Sequence, residues 1–196
     1  MKITIIFPGR SIETARSTGA VMPLAPCLLA ALTPKEHDVS LVDMFMGDRV
    51  DYESDVDVVA ITVRTPLATI AYEIADNFLR RGKKVLLGGP HIFAFPGEAK
   101  EHATAVAIGE GEELWPLILK DIQRNQLKQF YVCGPYAVRD LPGTVHHTPE
   151  RPTLEKLPLM RRDLLPRGRY MMDSIITTRG CPNHCRSSPV TDILGA

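Results

Sequence analysis

One stretch of the sequence, Lys84–Leu119, limits the possible folds more than any other. It places a short apolar run, Val85–Leu87, before Gly-Gly-Pro-His, and a second run, Ala105–Ile108, before Gly-Glu-Gly-Glu. Short apolar runs of this kind are typical of strands buried in a parallel sheet. Open parallel sheets form their binding sites where strands reach their carboxyl ends. The stretch therefore predicts an α/β sheet with glycines and polar side chains gathered at one edge.

The same alternation of strands and helices extends back to the amino terminus. It predicts a doubly wound, mostly parallel, five-stranded sheet of the Rossmann-like (flavodoxin-like) type over residues 1–126, because right-handed crossovers place helices on both faces. The remaining predicted strands are Lys2–Phe7, Val39–Phe45 and Val56–Val63, and the main predicted helices are Val21–Leu32 (regular from about Pro26), Leu67–Arg81 and Glu112–Arg124.

The pattern changes after residue 126. Gln129–Cys133 is a candidate additional strand at the sheet edge, and residues 127–174 otherwise predict an extended linker rich in Pro, Arg and His. Tyr170–Thr178 is strand-like and leads into a cysteine-containing loop. We therefore expect three parts: the α/β domain at 1–126, the linker at 127–174, and the beginning of another unit at 175–196.

Composition excludes several classes of partner. Lys plus Arg and Asp plus Glu both number 23, so no net charge attracts nucleic acid or an anionic membrane. No apolar run approaches the ~20 residues of a membrane span, and the first residues do not form a signal peptide. We expect a soluble, cytoplasmic chain. Cys27 and Cys133 stand alone in apolar surroundings and are expected to be small buried hydrophobic residues.

Two common ligands of α/β domains are disfavoured. The first strand ends in Pro8-Gly9-Arg10 and not in the G-x-G-x-x-G turn that binds a dinucleotide. The third strand ends in Thr-Val-Arg-Thr and lacks the aspartate of a phospho-receiver domain. A large tetrapyrrole such as cobalamin fits the glycines and small hydroxyl residues better. The alternative is that these glycines form only tight turns, with Glu112 and Glu113 stabilising a helix N-terminus.

The second sequence feature is the pair Cys181-x-x-x-Cys185 in TTRGCPNHCRSSPVT. Zinc pairs usually have C-x-x-C spacing and a second pair, which this sequence lacks. The motif resembles the radical SAM family. Together with MPLAPCLLAAL, GGPH, GEGEE and the Pro-rich linker, it resembles the N-terminal half of cobalamin-binding radical SAM proteins, which include methyltransferases and cyclases.

This resemblance implies a cobalamin-binding module of a radical SAM enzyme, not catalytic by itself, followed by the first strand of an incomplete barrel. Cys181 and Cys185 would be metal ligands of a 4Fe-4S cluster that works with S-adenosylmethionine. The residues implied at the corrinoid site are Thr62, Thr65, Gly88, Gly89, His91, Gly109 and Glu110.

Three departures from that family leave alternatives open. Ser188 occupies the third cysteine position, and the sequence continues for only eight residues beyond it. No D-x-H-x-x-G motif is present, so His91 either contacts a ligand or only caps its loop, while His146, His147 and His184 are expected at the surface. The alternatives are a cofactor-free structural or interaction domain of the same ancestry, or a small metal-binding protein that uses the two cysteines.

Overall fold

The described part of the chain forms one parallel sheet. The computed structural model describes residues 1–10, 21–135, 141–166, 168–183, 185–186, 188 and 190–195. These residues form a seven-stranded sheet in the order β2-β1-β3-β4-β5-β6-β7, with every neighbouring pair parallel. The strands are β1 (Lys2–Phe7), β2 (Asp38–Asp43), β3 (Val58–Thr62), β4 (Lys84–Gly88), β5 (Ala105–Ile108), β6 (Phe130–Cys133) and β7 (Val145–Thr148).

Helices cover both faces of this sheet. The described helices are α1 (Leu24–Leu32), α2 (Ala68–Arg80), α3 (Pro90–Ala94), α4 (Pro96–Glu101), α5 (Gly111–Gln123) and α6 (Val190–Leu194). Side chains of α1 and α5 pack on one face, and side chains of α2 and α4 pack on the other. The α/β class with a parallel sheet is therefore confirmed.

Strand parity decides which face each side chain joins. In β3, Val58 and Ala60 belong to the core beneath α1 and α5, whereas Val59 and Ile61 belong to the core beneath α2. All four side chains are buried, as expected for a strand covered on both faces. Helix α1 tolerates Pro26 because the residue lies in its first turn, where backbone N–H groups have no intrahelical partner.

The helix α5 does not lie on the face of the sheet that carries α2 and α4, the helices of the two preceding crossovers. The connections β3–α2–β4 and β5–α5–β6 both advance in the same direction along the sheet. Because α2 and α5 pack on opposite faces, the two connections have opposite hands. Nearly all such crossovers are right-handed, so one of these two connections departs from the usual rule. As a result α5 lies beside α1, and the two helices share a face.

The predicted count of five strands is wrong. Gln129–Cys133 corresponds to β6, which is an internal strand because β7 pairs along its outer side. The sequence of β7, VHHT, is polar and only partly buried, so it carries no apolar signal of a strand. The expected barrel strand at Tyr170–Thr178 is not supported: its described residues form no strand, and Met172 makes one isolated bridge to Val21.

Within the described ranges, no helix combines the length and the apolar character needed to cross a bilayer.

Candidate functional site

A cavity of about 770 Å³ opens between α1, α5 and the carboxyl ends of β3, β4 and β5. This volume is in the upper part of the range for small-molecule sites, roughly 300–1,000 Å³. Most of its lining is apolar. Leu24 and Leu28 come from α1, Trp115 and Ile118 come from α5, and Ala60 comes from β3. We call this space the main cavity.

The C-terminal segment closes one side of the main cavity. Ile176, Thr178 and Arg179 line it, followed by Ile193 and Leu194 of α6. The segment is held in place by polar contacts as well as by these apolar ones. The side chain of Arg151 donates to the carbonyl oxygen of Ile193 at 2.7 Å. The main cavity is therefore formed jointly by the sheet domain and by lining residues within 176–180 and 190–194.

An ionic cluster of two glutamates and two arginines adjoins the main cavity, and three of its members, Glu110, Glu112 and Arg179, line the wall. Nη1 of Arg179 lies 3.5 Å from Oε2 of Glu110, and Arg151 donates to Oε1 of Glu110 at 3.3 Å. Arg179 also pairs with Glu112. Burial raises the pKa of the Glu110 carboxyl, and the two arginines act in the opposite direction. The cluster keeps ionisable groups at the edge of an otherwise apolar cavity.

Five of the seven predicted ligand residues line the main cavity. They are Thr62, Gly88, Gly89, Gly109 and Glu110. These residues lie at the carboxyl ends of β3, β4 and β5, or in the turns that follow, and the three strands are parallel neighbours, so they reach the same edge of the sheet. Their role in binding stays a prediction, because contact with a cavity is not contact with a ligand.

Thr65 and His91 do not line the main cavity. Both ring nitrogens of the buried His91 have protein partners: Nδ1 lies 3.3 Å from Oγ1 of Thr65, and Nε2 lies 3.1 Å from the hydroxyl of Tyr72. Tyr72 belongs to α2 and its ring stacks on His102, which contacts Asp76 at 2.8 Å. Thr65 and His91 therefore belong to a polar network on the α2 side of the sheet.

Gly89 is the glycine that the geometry of this edge requires most clearly. Its φ is 107°, and a Cβ at this position would lie 2.7 Å from the carbonyl oxygen of Val63. Only glycine allows this approach without strain. The backbone of the Gly88-Gly89 turn therefore packs directly against the end of β3 and forms part of the cavity floor.

The two cysteines of the predicted cluster lie in a loop that folds back on the last helix. Cys181 is partly buried and Cys185 is exposed. The N–H of Cys181 donates to the carbonyl oxygen of Gly195 at 2.9 Å, and the Thr191 hydroxyl donates to the Cys181 carbonyl at 3.2 Å. In the parts of the chain that the structure describes, no three His, Cys, Asp or Glu side chains group as metal ligands. His184 lies outside the described residues.

The apolar walls and Arg179 are functional features that the sequence-based prediction did not include. Leu24 and Leu28 are four residues apart on α1, as are Leu114 and Ile118 on α5, and such spacing indicates one helix face. That signal was visible in the sequence, but any packed helix shows it. Arg179 gave no signal, because only the fold brings it to Glu110.

Comparison with known proteins relates this chain to methyltransferases. It is 39% identical over 163 residues, 81% of its length, to bacteriochlorophyllide d C-8(2)-methyltransferase of Chlorobaculum tepidum. It is 32% identical over 198 aligned residues, 99% of its length, to bacteriochlorophyllide d C-12(1)-methyltransferase of the same organism. An uncharacterized methyltransferase of Synechocystis sp. is 25% identical over 88% of the chain. No protein-family model matches the chain.

The chain spans only part of each relative. It covers 33% of the first, 41% of the second and 30% of the third. The similarity therefore extends over 81–99% of this chain but over less than half of each of these three relatives.

These relatives correct the functional prediction. They are methyltransferases, so the assignments to a cobalamin-binding radical SAM module, to cobalamin and to an iron–sulfur cluster are not upheld. The described residues likewise bring no third ligand to Cys181 and Cys185. Methyl transfer, which was one of the expected activities, agrees with the relatives.

Proposed function

We propose that this chain forms the acceptor-binding part of a methyltransferase that modifies a bacteriochlorophyllide-type tetrapyrrole. The main cavity carries the proposal, because its size and apolar lining suit a large flat ring. Two similar proteins are named for methyl transfer to bacteriochlorophyllide d. The donor would be S-adenosylmethionine, the usual donor of methyltransferases.

The two helices supply the surface for the ring. Leu28, Leu114 and Trp115 are buried residues that line the main cavity from α1 and α5. Removing apolar surface of a ligand from water stabilises the complex by roughly 25 cal/mol per Å². The indole N–H of Trp115 donates to Oγ1 of Thr33 at 2.9 Å, which holds its ring in one orientation. The apolar wall is therefore fixed before the ligand enters.

The polar edge would orient the ring. Glu110 and Arg179 lie at one end of the main cavity, where the polar substituents of a tetrapyrrole periphery would meet a carboxylate and a guanidinium. Nη1 of Arg179 is buried and has no hydrogen-bond partner among the described residues, apart from its ionic approach to Glu110. It is a candidate donor to an oxygen of the bound ring.

The described lining suits the acceptor better than the donor. S-adenosylmethionine is cationic and carries ribose hydroxyls, so its site needs free acceptor oxygens. The acidic side chains of the main cavity, Glu110 and Glu112, are already paired with Arg179, and Glu110 also with Arg151. We therefore assign the main cavity to the ring and derive no step through the donor.

The test uses Trp115, the single tryptophan of the chain. Titration with bacteriochlorophyllide d should quench its fluorescence to a stoichiometric end point, because the ring absorbs light and would lie against the indole. An equal concentration of hydroxocobalamin serves as a comparison ring. Absence of saturable quenching, or tighter binding of the corrinoid, would overturn the proposal.

Two matched variants locate the binding. Ala25 is exposed and lines the main cavity, whereas Ala94 is exposed and does not. Ala25→Phe should obstruct the entrance and weaken quenching about tenfold or more, a loss of roughly 1.4 kcal/mol. Ala94→Phe should bind as the unchanged protein does. Equal behaviour of the two variants would place the ligand elsewhere.

A further inference from the structure

We propose that a second cavity, lined by Arg10 and Arg64, binds an oxyanion attached to an apolar body. The cavity has a volume of about 240 Å³, and its other described lining residues are Phe45, Pro66 and Leu67. None of these residues lines the main cavity. The proposal therefore stands independently of methyl transfer.

The second cavity lies at the topological switch point of the sheet. Arg10 follows β1, Phe45 follows β2 and Arg64 follows β3, and these strands are neighbours in the order β2-β1-β3. Helix α1 leads from β1 to one face, while α2 leads from β3 to the other. In open α/β sheets, the crevice that forms where successive connections diverge in this way is the usual place for a ligand.

Arg64 is a partly buried cation for which the described residues provide no hydrogen-bond acceptor. Its guanidinium carbon lies 4.6 Å from the centroid of the Phe7 ring, and its Nε is buried without a hydrogen-bond partner in the described part of the chain. No ion pair to Arg64 occurs among the described residues. A nearby anion stabilises the positive charge of a guanidinium that is partly removed from water, and the planar arrangement of its N–H donors suits a carboxylate or phosphate.

The carboxylate that acts on Arg64 through charge is Asp43, and its oxygens are already engaged. Oδ1 of Asp43 accepts the N–H of Phe45 at 3.0 Å, and Oδ2 accepts the hydroxyl of Tyr170 at 2.7 Å. Asp43 therefore moderates the charge without occupying the hydrogen-bonding groups of the guanidinium.

Arg10 supplies the second cation at the mouth of the cavity. Its Nη2 donates to the carbonyl oxygen of Pro66 at 2.9 Å, which fixes the side chain beside the opening. A guanidinium has five N–H donors, so donors remain for a ligand. No acidic residue is among the described lining, and the rings of Phe45 and Pro66 with the side chain of Leu67 offer an apolar wall. These walls are the reason to expect an apolar body.

The experiment titrates the protein calorimetrically with benzoate and with phenyl phosphate, which distinguish a carboxylate source from a phosphate source. Benzamide tests the need for charge, and inorganic phosphate tests the need for the apolar body. We expect at least one aromatic anion to bind with a Kd of about 1 mM or tighter. We also expect it to shift the side-chain NMR signal of the Arg64 Nε–H group.

Variants assign the binding to this cavity. Arg64→Gln and Arg10→Gln should each weaken it about tenfold, and Arg64→Lys should weaken it while keeping the positive charge. Arg80→Gln, at the far end of α2, should leave binding unchanged. The proposal is overturned if neither aromatic anion binds at about 10 mM, if benzamide binds equally well, or if folded Arg64→Lys and Arg10→Gln keep full affinity. Inorganic phosphate binding as tightly as phenyl phosphate would overturn the apolar part.

Discussion

Arg179 and Glu110 lie side by side at one end of the main cavity, with 3.5 Å between Nη1 of Arg179 and Oε2 of Glu110. Glu110 precedes helix α5 in the sheet domain, and Arg179 belongs to the C-terminal segment. The pair therefore joins two distant parts of the chain at the place where the cavity is enclosed. Its side chains are 14% and 7% exposed, so solvent screens the attraction only partly.

Replacing Arg179 should loosen the C-terminal segment. Arg179→Gln leaves Glu110 and Glu112 without their shared cation, and we expect a loss of about 1–3 kcal/mol from the free energy of unfolding. Hydrogen exchange of residues 176–183 should become faster. The control is Arg161→Gln, whose partner Asp163 is well exposed, because exposed pairs contribute little. Similar exchange in both variants would contradict the role given to Arg179.

Glu110 should make stability depend on pH with a definite sign. Burial raises its pKa in the folded state, so the folded protein holds this proton more tightly than the unfolded chain does. Its contribution to stability is therefore greatest at low pH, and it declines as pH rises from the ordinary value of 4.5 through the raised pKa.

Glu110→Gln removes this titration. Urea unfolding of both proteins between pH 4.5 and neutrality measures the effect. The stability of the unchanged protein minus that of the variant should fall with rising pH. A constant difference over the whole range would show that Glu110 titrates in the folded protein as it does in the unfolded chain.

Gly89 and Gly97 form a matched pair of glycines. A Cβ at position 89 would meet the Val63 carbonyl oxygen at 2.7 Å in a backbone with φ of 107°, whereas a Cβ at position 97 meets nothing within 4 Å. We expect Gly89→Ala to destabilise the fold by about 1–3 kcal/mol. Gly97→Ala, in helix α4, should be neutral or stabilising by up to about 1 kcal/mol. Thermal unfolding of the two variants decides the comparison.

The four cysteines should react in two groups. Cys27 and Cys133 are fully buried, and burial raises the pKa of each thiol to about 11. Because the thiolate is the reactive form, both should resist iodoacetamide at about pH 8 in the folded protein. Cys185 is exposed and should react first, followed by the partly buried Cys181. Peptide mass spectrometry over time gives the order; early modification of Cys133 would contradict the structure.

The strands and helices of the first 126 residues could be predicted because their signals are local. Apolar runs such as Ala105–Ile108 and the periodic face of Leu67–Arg81 depend only on neighbours in the chain. Strand β7 was not predicted because its residues, VHHT, are held in the sheet by backbone hydrogen bonds to β6. Backbone pairing of this kind has little effect on which side chains a strand contains.

The sequence by itself determined the parallel α/β sheet and the glycine-rich edge with Thr62, Gly88, Gly89, Gly109 and Glu110. Only the tertiary structure decided how that edge is used. Thr65 and His91 turn to the α2 side, α5 crosses to the face of α1, and Arg179 reaches Glu110. The physical reason is that periodicity specifies which residues share a face of one element. Crossover hand and long-range ion pairs specify which elements enclose a cavity, and neither is encoded locally.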